Sequence, residues 1–226
     1  MNKTKIEWCD YTWNPVTGCL HGCHYCYARR IAERFRSKNN YTYVDGIKPS
    51  YIKEPYPYGF YPTFYPDRLN QPKKLNKPSK IFVVSMGDLF GDWVPIEWIK
   101  EVINVVRECE QHTFMFLTKN GKRLKDIDFP DNAWVGVSIG GHGIYDGLCR
   151  CNAKVKFISI EPLLEEVKYL PIVDWYIIGA QTGPGAKKPK KEWVQSIIDV
   201  CRESNKPVFL KDNLNWHEKI QEFPVK

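Results

Sequence analysis

Short apolar runs recur along the chain, each closing on small or polar residues, with segments of helical period between them. Seven runs read as strands, at 11–17, 80–86, 113–118, 133–138, 155–160, 175–179 and 207–211. Cores such as Ile81-Phe82-Val83-Val84 and Trp175-Tyr176-Ile177-Ile178 are continuously apolar rather than alternating. Strands of that kind are covered on both faces, as in parallel sheets. Helical period appears at 27–37, where Ile31 and Phe35 share a face, and at 95–109, through Ile96, Ile99, Ile103 and Val106 with Pro95 suited to a first turn. It returns at 191–204 through Trp193, Val194, Ile197, Ile198 and Cys201.

Strand and helix alternate, which predicts an α/β fold of parallel strands with right-handed crossovers. Six or seven units are too few for a closed eight-fold barrel. A partial (β/α)6-type barrel fits, with a flat doubly wound sheet as the alternative. The sequence reads as a single domain over 1–226, with one break in its rhythm at about 39–78. That insertion is crowded with Tyr51, Pro55, Tyr56, Pro57, Tyr58, Tyr61, Pro62, Tyr65 and Pro66, residues that stiffen irregular chain and deny it helix. It reads either as a lid over a barrel mouth or as a strap around the barrel.

Composition narrows the class. No apolar run is long enough to span a bilayer, and the start Met-Asn-Lys-Thr-Lys lacks the pattern of a signal peptide. The expectation is a soluble cytoplasmic protein with no membrane partner. Formal charge is +7, from 33 basic and 26 acidic side chains, alongside 8 Trp, 13 Tyr and 11 Phe. Cations neutralise phosphates and rings stack on bases, so a nucleic-acid or nucleotide substrate is compatible with this balance. An ordinary barrel with a basic exterior is equally compatible.

The chemistry concentrates in Thr17-Gly18-Cys19-Leu20-His21-Gly22-Cys23-His24-Tyr25-Cys26. Spacers of three and then two residues between cysteines, bracketed by Gly18 and Gly22, suit a loop that wraps three thiolates around one face of an iron–sulfur cube. Three ligands leave one iron open to an exchangeable molecule. The alternative is a zinc knuckle completed by Cys9, His21 or His24, in a non-catalytic zinc-stabilised nucleic-acid-binding protein. A disulfide scaffold fits poorly, because eight cysteines are spread irregularly over a long chain.

Cys-x3-Cys-x2-Cys with an aromatic, Tyr25, before the third cysteine resembles the signature of the radical S-adenosylmethionine (SAM) superfamily. More narrowly, the chain resembles a phage-associated, radical-SAM-like family of unknown function. That likeness runs through Trp13-Asn14-Pro15-Val16-Thr17-Gly18-Cys19, Ser85-Met86-Gly87-Asp88-Leu89-Phe90, Ser159-Ile160-Glu161-Pro162-Leu163-Leu164 and Gly183-Pro184-Gly185-Ala186. The resemblance implies a partial barrel, with Cys19, Cys23 and Cys26 as ligands of a [4Fe–4S] cluster and Tyr25 near the adenine of SAM. It also implies an external one-electron reductant, such as flavodoxin or ferredoxin, and reductive cleavage of SAM to a 5′-deoxyadenosyl radical.

The resemblance further implies a turn after the second strand that receives the SAM amino group. Met86, Gly87 and Asp88 stand there, with Gly87 allowing close backbone approach and Asp88 as acceptor or, alternatively, as the cap of the next turn. At later strand ends, Thr118 and Lys119 are candidates for a carboxylate or phosphate, and Ser138 for ribose hydroxyls. Glu161 directly follows an apolar run and needs a partner, either a bound ligand or an internal ion pair with Lys119 or Lys211. With Lys119 it forms the candidate catalytic pair. Gln181 opens a glycine-rich loop suited to adenine or a phosphate, and the tract Lys187-Lys188-Pro189-Lys190-Lys191 reads as a phosphate contact or a solvated helix start. Cys149 and Cys151 read as a packed or free pair.

Overall fold

The structure is a computed structural model that describes residues 1–140 and 145–225. Two compact units make up the chain, one of Met1–Phe116 with Phe129–Ala133, the other of Leu117–Asp128 with the chain from Trp134 onward.

In the first unit, β1 (Asn2–Lys3) pairs antiparallel with β2 (Tyr11–Trp13), and β2 runs parallel to β5 (Lys80–Val83) with Tyr11 opposite Ile81. β5 in turn runs parallel to β6 (Thr113–Thr118), pairing Lys80 with Thr113 and Val83 with Phe116. The crossover between them is α2 (Ile96–Glu108), which buries Trp98, Ile99, Val102, Ile103, Val105 and Val106 on the expected face. Pro95 stands one residue earlier than expected, as the residue preceding the first turn.

Two strand expectations in this unit need correction. The run 11–17 is not one strand: Asn14-Pro15 breaks it, and Val16–Thr17 forms β3, antiparallel to β4 (Thr63–Phe64) from inside the insertion. Proline offers no N–H for a ladder, and the Asn14 carboxamide turns aside to accept from the Met86 N–H at 2.9 Å. The run 80–86 stops at Val83, because Val84 adopts a left-handed φ of 58° that no strand continues.

The insertion is irregular except for β4 and single 3-10 turns at Pro66–Arg68 and Pro72–Lys74. It grips the first unit through side chains. Trp13 Nε1 donates to the Arg68 carbonyl at 2.8 Å, and the Arg68 guanidinium lies 3.6 Å from the Tyr65 ring centroid. Ile52, Phe60, Phe64 and Tyr65 are buried as its anchors. Between the cysteine loop and the insertion runs α1 (Tyr27–Arg34), shorter than the 27–37 of the sequence reading.

In the second unit, β7 (Ala133–Ile139), β8 (Val155–Ile160), β9 (Trp175–Ile178) and β10 (Val208–Leu210) are parallel neighbours in that order. All four residues of β9 are buried, as its unbroken apolar run requires. Between β9 and β10, α4 (Lys191–Glu203) buries Val194, Ile197, Ile198 and Cys201. A further short helix, α3 (Asp146–Arg150), was not read from the sequence. At Gly147 it lies against the backbone of a 3-10 segment, Gly121–Asp126, so closely that a side chain there would strike the Gly121 carbonyl. No helix among the described residues is long and apolar enough to cross a membrane.

Candidate functional site

The three cysteines occupy the loop between β3 and α1, and the backbone on three sides fixes that loop. Gly18 has a φ of 90°, donates its N–H to the Met86 carbonyl at 2.9 Å, and forms a bridge with Gly87. A side chain on Gly18 would run into the backbone of Tyr61, and one on Gly87 into the backbone of Gly18. The close approach expected of Gly87 is therefore made here to the cysteine loop. On the insertion side, the Cys19 N–H donates to the Phe60 carbonyl at 3.2 Å.

Cys26 is the N-cap of α1, and its sulfur accepts from the Arg29 N–H at 3.4 Å. Arg29 reaches back with Nη2 to the Cys19 carbonyl at 3.2 Å, its guanidinium 5.0 Å from the Phe60 ring centroid. Behind the loop, Cys19 and Cys26 pack on a small core of Ala28, Ala32, Phe60 and Met86. Burial pushes the Cys19 thiol up to about 12, so any metal that takes this sulfur as thiolate must displace its proton. The Tyr27 hydroxyl, which the sequence reading did not single out, donates to the Ser85 carbonyl at 2.6 Å and ties α1 to the turn after β5.

Asp88 uses both carboxylate oxygens inside the first unit. Oδ1 accepts from the Phe90 N–H at 3.0 Å, which caps the turn, and Oδ2 lies 2.8 Å from His21 Nε2. The histidine ring also stands edge-on to Trp93, with centroids 4.8 Å apart. His21 is thus a support of the loop rather than a spare ligand. His24 packs edge-on against Tyr25 at 4.9 Å, and the buried Cys9 thiol faces the Ile6 carbonyl at 3.9 Å.

All eight cysteines are free thiols. Among the described residues, no three His, Cys, Asp or Glu side chains converge where a single metal ion would sit. A cubane makes a different demand, since each thiolate takes its own iron and the sulfurs need not share one focus. Three soft donors on one clamped loop, with His21 held by Asp88, fit a cluster anchored at three corners.

The second unit holds the remaining candidates. Glu161, at the end of β8, forms an ion pair with Lys211 at the end of β10, both largely shielded from solvent. Their side chains crowd Gly179, where an added methyl would lie 3.0 Å from each. Lys119 Nζ lies 3.5 Å from Ser138 Oγ, which in turn lies 3.5 Å from the Glu161 carbonyl oxygen. Of the two lysines offered as partners for the Glu161 carboxylate, Lys211 holds it. Thr118 is buried and accepts from the Asn120 N–H at 2.9 Å. Gln181 Oε1 accepts from the Lys187 N–H at 3.2 Å, closing the loop of Gly183 and Gly185 on itself. Asn213 exchanges two bonds with the Ala180 backbone, at 3.0 and 2.9 Å.

The lysine tract leads directly into α4, with Lys190 at its N-cap and Nζ 5.2 Å from the Trp193 ring centroid. Cys149 is exposed, while Cys151 is buried and its sulfur faces the Leu148 carbonyl at 3.2 Å. Burial raises the Cys109, Cys151 and Cys201 thiols, the last to about 12, which marks them as packing groups.

A solved structure of a similar protein, "Spore photoproduct lyase complexed with dinucleoside spore photoproduct", superposes with a TM-score of 0.59, at 12% sequence identity, over 93% of this chain and 79% of that one. Spore photoproduct lyase is a radical SAM enzyme, and the likeness shows a shared fold, α/β with mostly parallel strands, in keeping with a partial barrel. A search of curated proteins finds no match. The family model described as "Protein of unknown function (DUF5131)" matches residues 3–223, and the chain belongs to that family.

Proposed function

We propose that this protein is a radical SAM enzyme whose Cys19, Cys23 and Cys26 hold a [4Fe–4S] cluster, with a nucleotide or nucleic acid as its substrate. The observation that carries the reading is the cysteine loop itself: three thiols in eight residues, clamped by Gly18, Gly87 and Phe60, on a fold shared with a radical SAM enzyme. When bound, the cluster and SAM would supply a 5′-deoxyadenosyl radical on receipt of one electron from an external reductant such as flavodoxin or ferredoxin.

The chain's own residues supply placement. Cys26 offers its sulfur at the N-cap of α1, and Arg29 fixes the Cys19 carbonyl so that the loop cannot unwind from the helix. Asp88 holds His21 and thereby the middle of the loop. Tyr25 is the candidate neighbour of the SAM adenine. Met86 and Gly87 shape the turn against the loop, and Asp88 would meet the SAM amino group only by giving up its contact with His21.

Thr118, Lys119, Ser138 and Gln181 remain candidates for SAM or substrate polar groups, and Glu161 for a proton-transfer role that requires release from Lys211. The nucleic-acid part of the reading is supported by a net charge of +7, by 13 Tyr and 8 Trp, and by the dinucleoside with which the similar lyase is complexed.

Anaerobic reconstitution tests the cluster. The expected result is about four irons and four sulfides per chain, with 5′-deoxyadenosine formed from SAM and dithionite. Cys23→Ala should lose both. Stoichiometric zinc without iron, or cleavage retained by Cys23→Ala, would overturn the proposal.

A further inference from the structure

A cavity of about 430 Å³ lies between α1 and the insertion, and Leu20, Arg29 and Phe60 give it one edge in common with the cysteine loop. Its walls include Arg36, Asn39, Tyr41, Tyr43, Tyr58 and Tyr61. That volume is typical of a small-molecule site and admits one nucleotide rather than a duplex.

The rings form a built platform. Tyr43 stands edge-on to both Tyr61 and Tyr58, with centroids at 4.7 and 5.1 Å, and its hydroxyl is tied to the Pro62 carbonyl at 2.6 Å. Tyr61 itself is 50% exposed, so it offers aromatic surface to solvent while its neighbour holds it. Such rings are the ordinary platform for an unpaired base.

The α1 side of the cavity contributes cationic groups, Arg29 and Arg36, with one acid, Glu33. Glu33 is engaged, accepting from the Phe60 N–H at 3.0 Å and meeting Arg36 at 3.5 Å. The other nearby acid, Glu54, accepts from Ser37, Asn39 and Tyr41 at 3.2, 2.9 and 2.9 Å. Those donors hold Glu54 as an ionised acceptor, and through it Ser37, Asn39 and Tyr41 of the cavity wall are tied together. The Arg36 side chain is 59% exposed and meets Glu33 at 3.5 Å.

We propose that this cavity binds a nucleotide of a single-stranded nucleic acid, with Tyr61 stacking on its base and Arg36 contacting its phosphate. The inference rests on the nucleic-acid part of the proposed function and is independent of the radical chemistry.

Fluorescence anisotropy of the full chain, purified anaerobically, with a labelled mixed-sequence single strand of about ten nucleotides tests it without any reductant. Tyr61→Ala should weaken binding about fivefold or more. Arg36→Gln should reduce the slope of log affinity against log salt by about 0.7, the loss of one phosphate contact. Tyr169→Ala, an exposed ring outside the cavity, should bind as the wild type does. Circular dichroism of each variant keeps loss of fold apart from loss of binding. If the wild type binds and both cavity variants bind equally well, the cavity assignment falls while the nucleic-acid reading stands. If the wild type binds no single strand, or binds duplex in preference, the proposal falls together with the single-stranded form of that reading.

Discussion

His21 Nε2 lies 2.8 Å from Asp88 Oδ2, which joins the middle of the cysteine loop to the turn after β5 across 67 positions of sequence. The carboxylate is 4% exposed and its other oxygen caps the Phe90 N–H, so both ends of the contact are fixed. Removing it leaves the buried Phe90 N–H without its acceptor and His21 without its partner. Asp88→Ala should therefore cost about 1–3 kcal/mol in urea unfolding. Asp88→Asn, which keeps the shape, should recover part of that loss. Limited proteolysis should cut the cysteine loop faster in the Ala variant than in the wild type; equal cutting rates would show that the loop is held by its backbone bonds alone.

Two glycines in and beside the loop should both lose stability on the same change and yet differ in iron loading. Gly87→Ala places a methyl 2.6 Å from the Gly18 carbonyl oxygen and 3.0 Å from its nitrogen, and backbone cannot step aside as a side chain does. Overpacking of that kind costs about 1–3 kcal/mol, and it should be accompanied by poor iron retention after reconstitution. Gly22 meets nothing within 4 Å and departs from ordinary geometry only in its φ of 72°. Its alanine variant should lose about 1 kcal/mol and still load iron. Chemical denaturation with iron analysis on both variants makes the comparison.

How far the sequence disclosed this arrangement depended on the range of each interaction. β9 and α4 were legible because their signals are local: four consecutive buried positions in one, and Val194, Ile197, Ile198 and Cys201 in helical rhythm in the other. The cysteine loop was legible from its spacing. The β3–β4 pair was not, since two-residue strands leave no pattern and Val16 pairs with Phe64 from inside a segment read as irregular. α3 was too short for a period to show, and its defining feature is a contact of Gly147 with Gly121. Asp88 and His21 were each visible as polar residues near the chemistry. Their pairing depends on the Gly18–Gly87 bridge bringing two distant segments together, and no local pattern encodes that.

The Glu161–Lys211 pair should behave as a coupled unit. The two side chains are 27% and 15% exposed, enough shielding for the charges to feel one another and enough water to temper the cost of separating them. Glu161→Gln and Lys211→Met should each destabilise the protein. The double variant should lose less than the sum, with a coupling of about 1 kcal/mol. A coupling near zero would mean that each group is held by other partners, and would favour a role for Glu161 toward a bound ligand.

Glu222 gives the fold its own pH dependence. Arg202 meets its carboxylate with two bonds of 2.8 Å, and the Val208 N–H adds a third at 3.0 Å. The hydrogen bond from Arg202 is the main cause that holds the Glu222 carboxyl below its ordinary value. A group whose folded value is depressed contributes stability above its unfolded value, about 4.3, and loses that contribution as pH falls through the lower folded value. The pair is open to solvent, so its worth is about 1 kcal/mol or less. The urea midpoint of the wild type should exceed that of Glu222→Gln by a constant margin above about pH 5, and the two curves should converge as the medium becomes more acid. The backbone of this residue is also engaged: its carbonyl accepts from Trp175 Nε1 at 2.8 Å, and Phe223 packs on the Trp175 ring at 5.2 Å. Those contacts carry no charge and persist in the variant. A margin that stayed open at low pH would therefore assign the stabilisation to packing, and only a margin that closes assigns it to the ion pair.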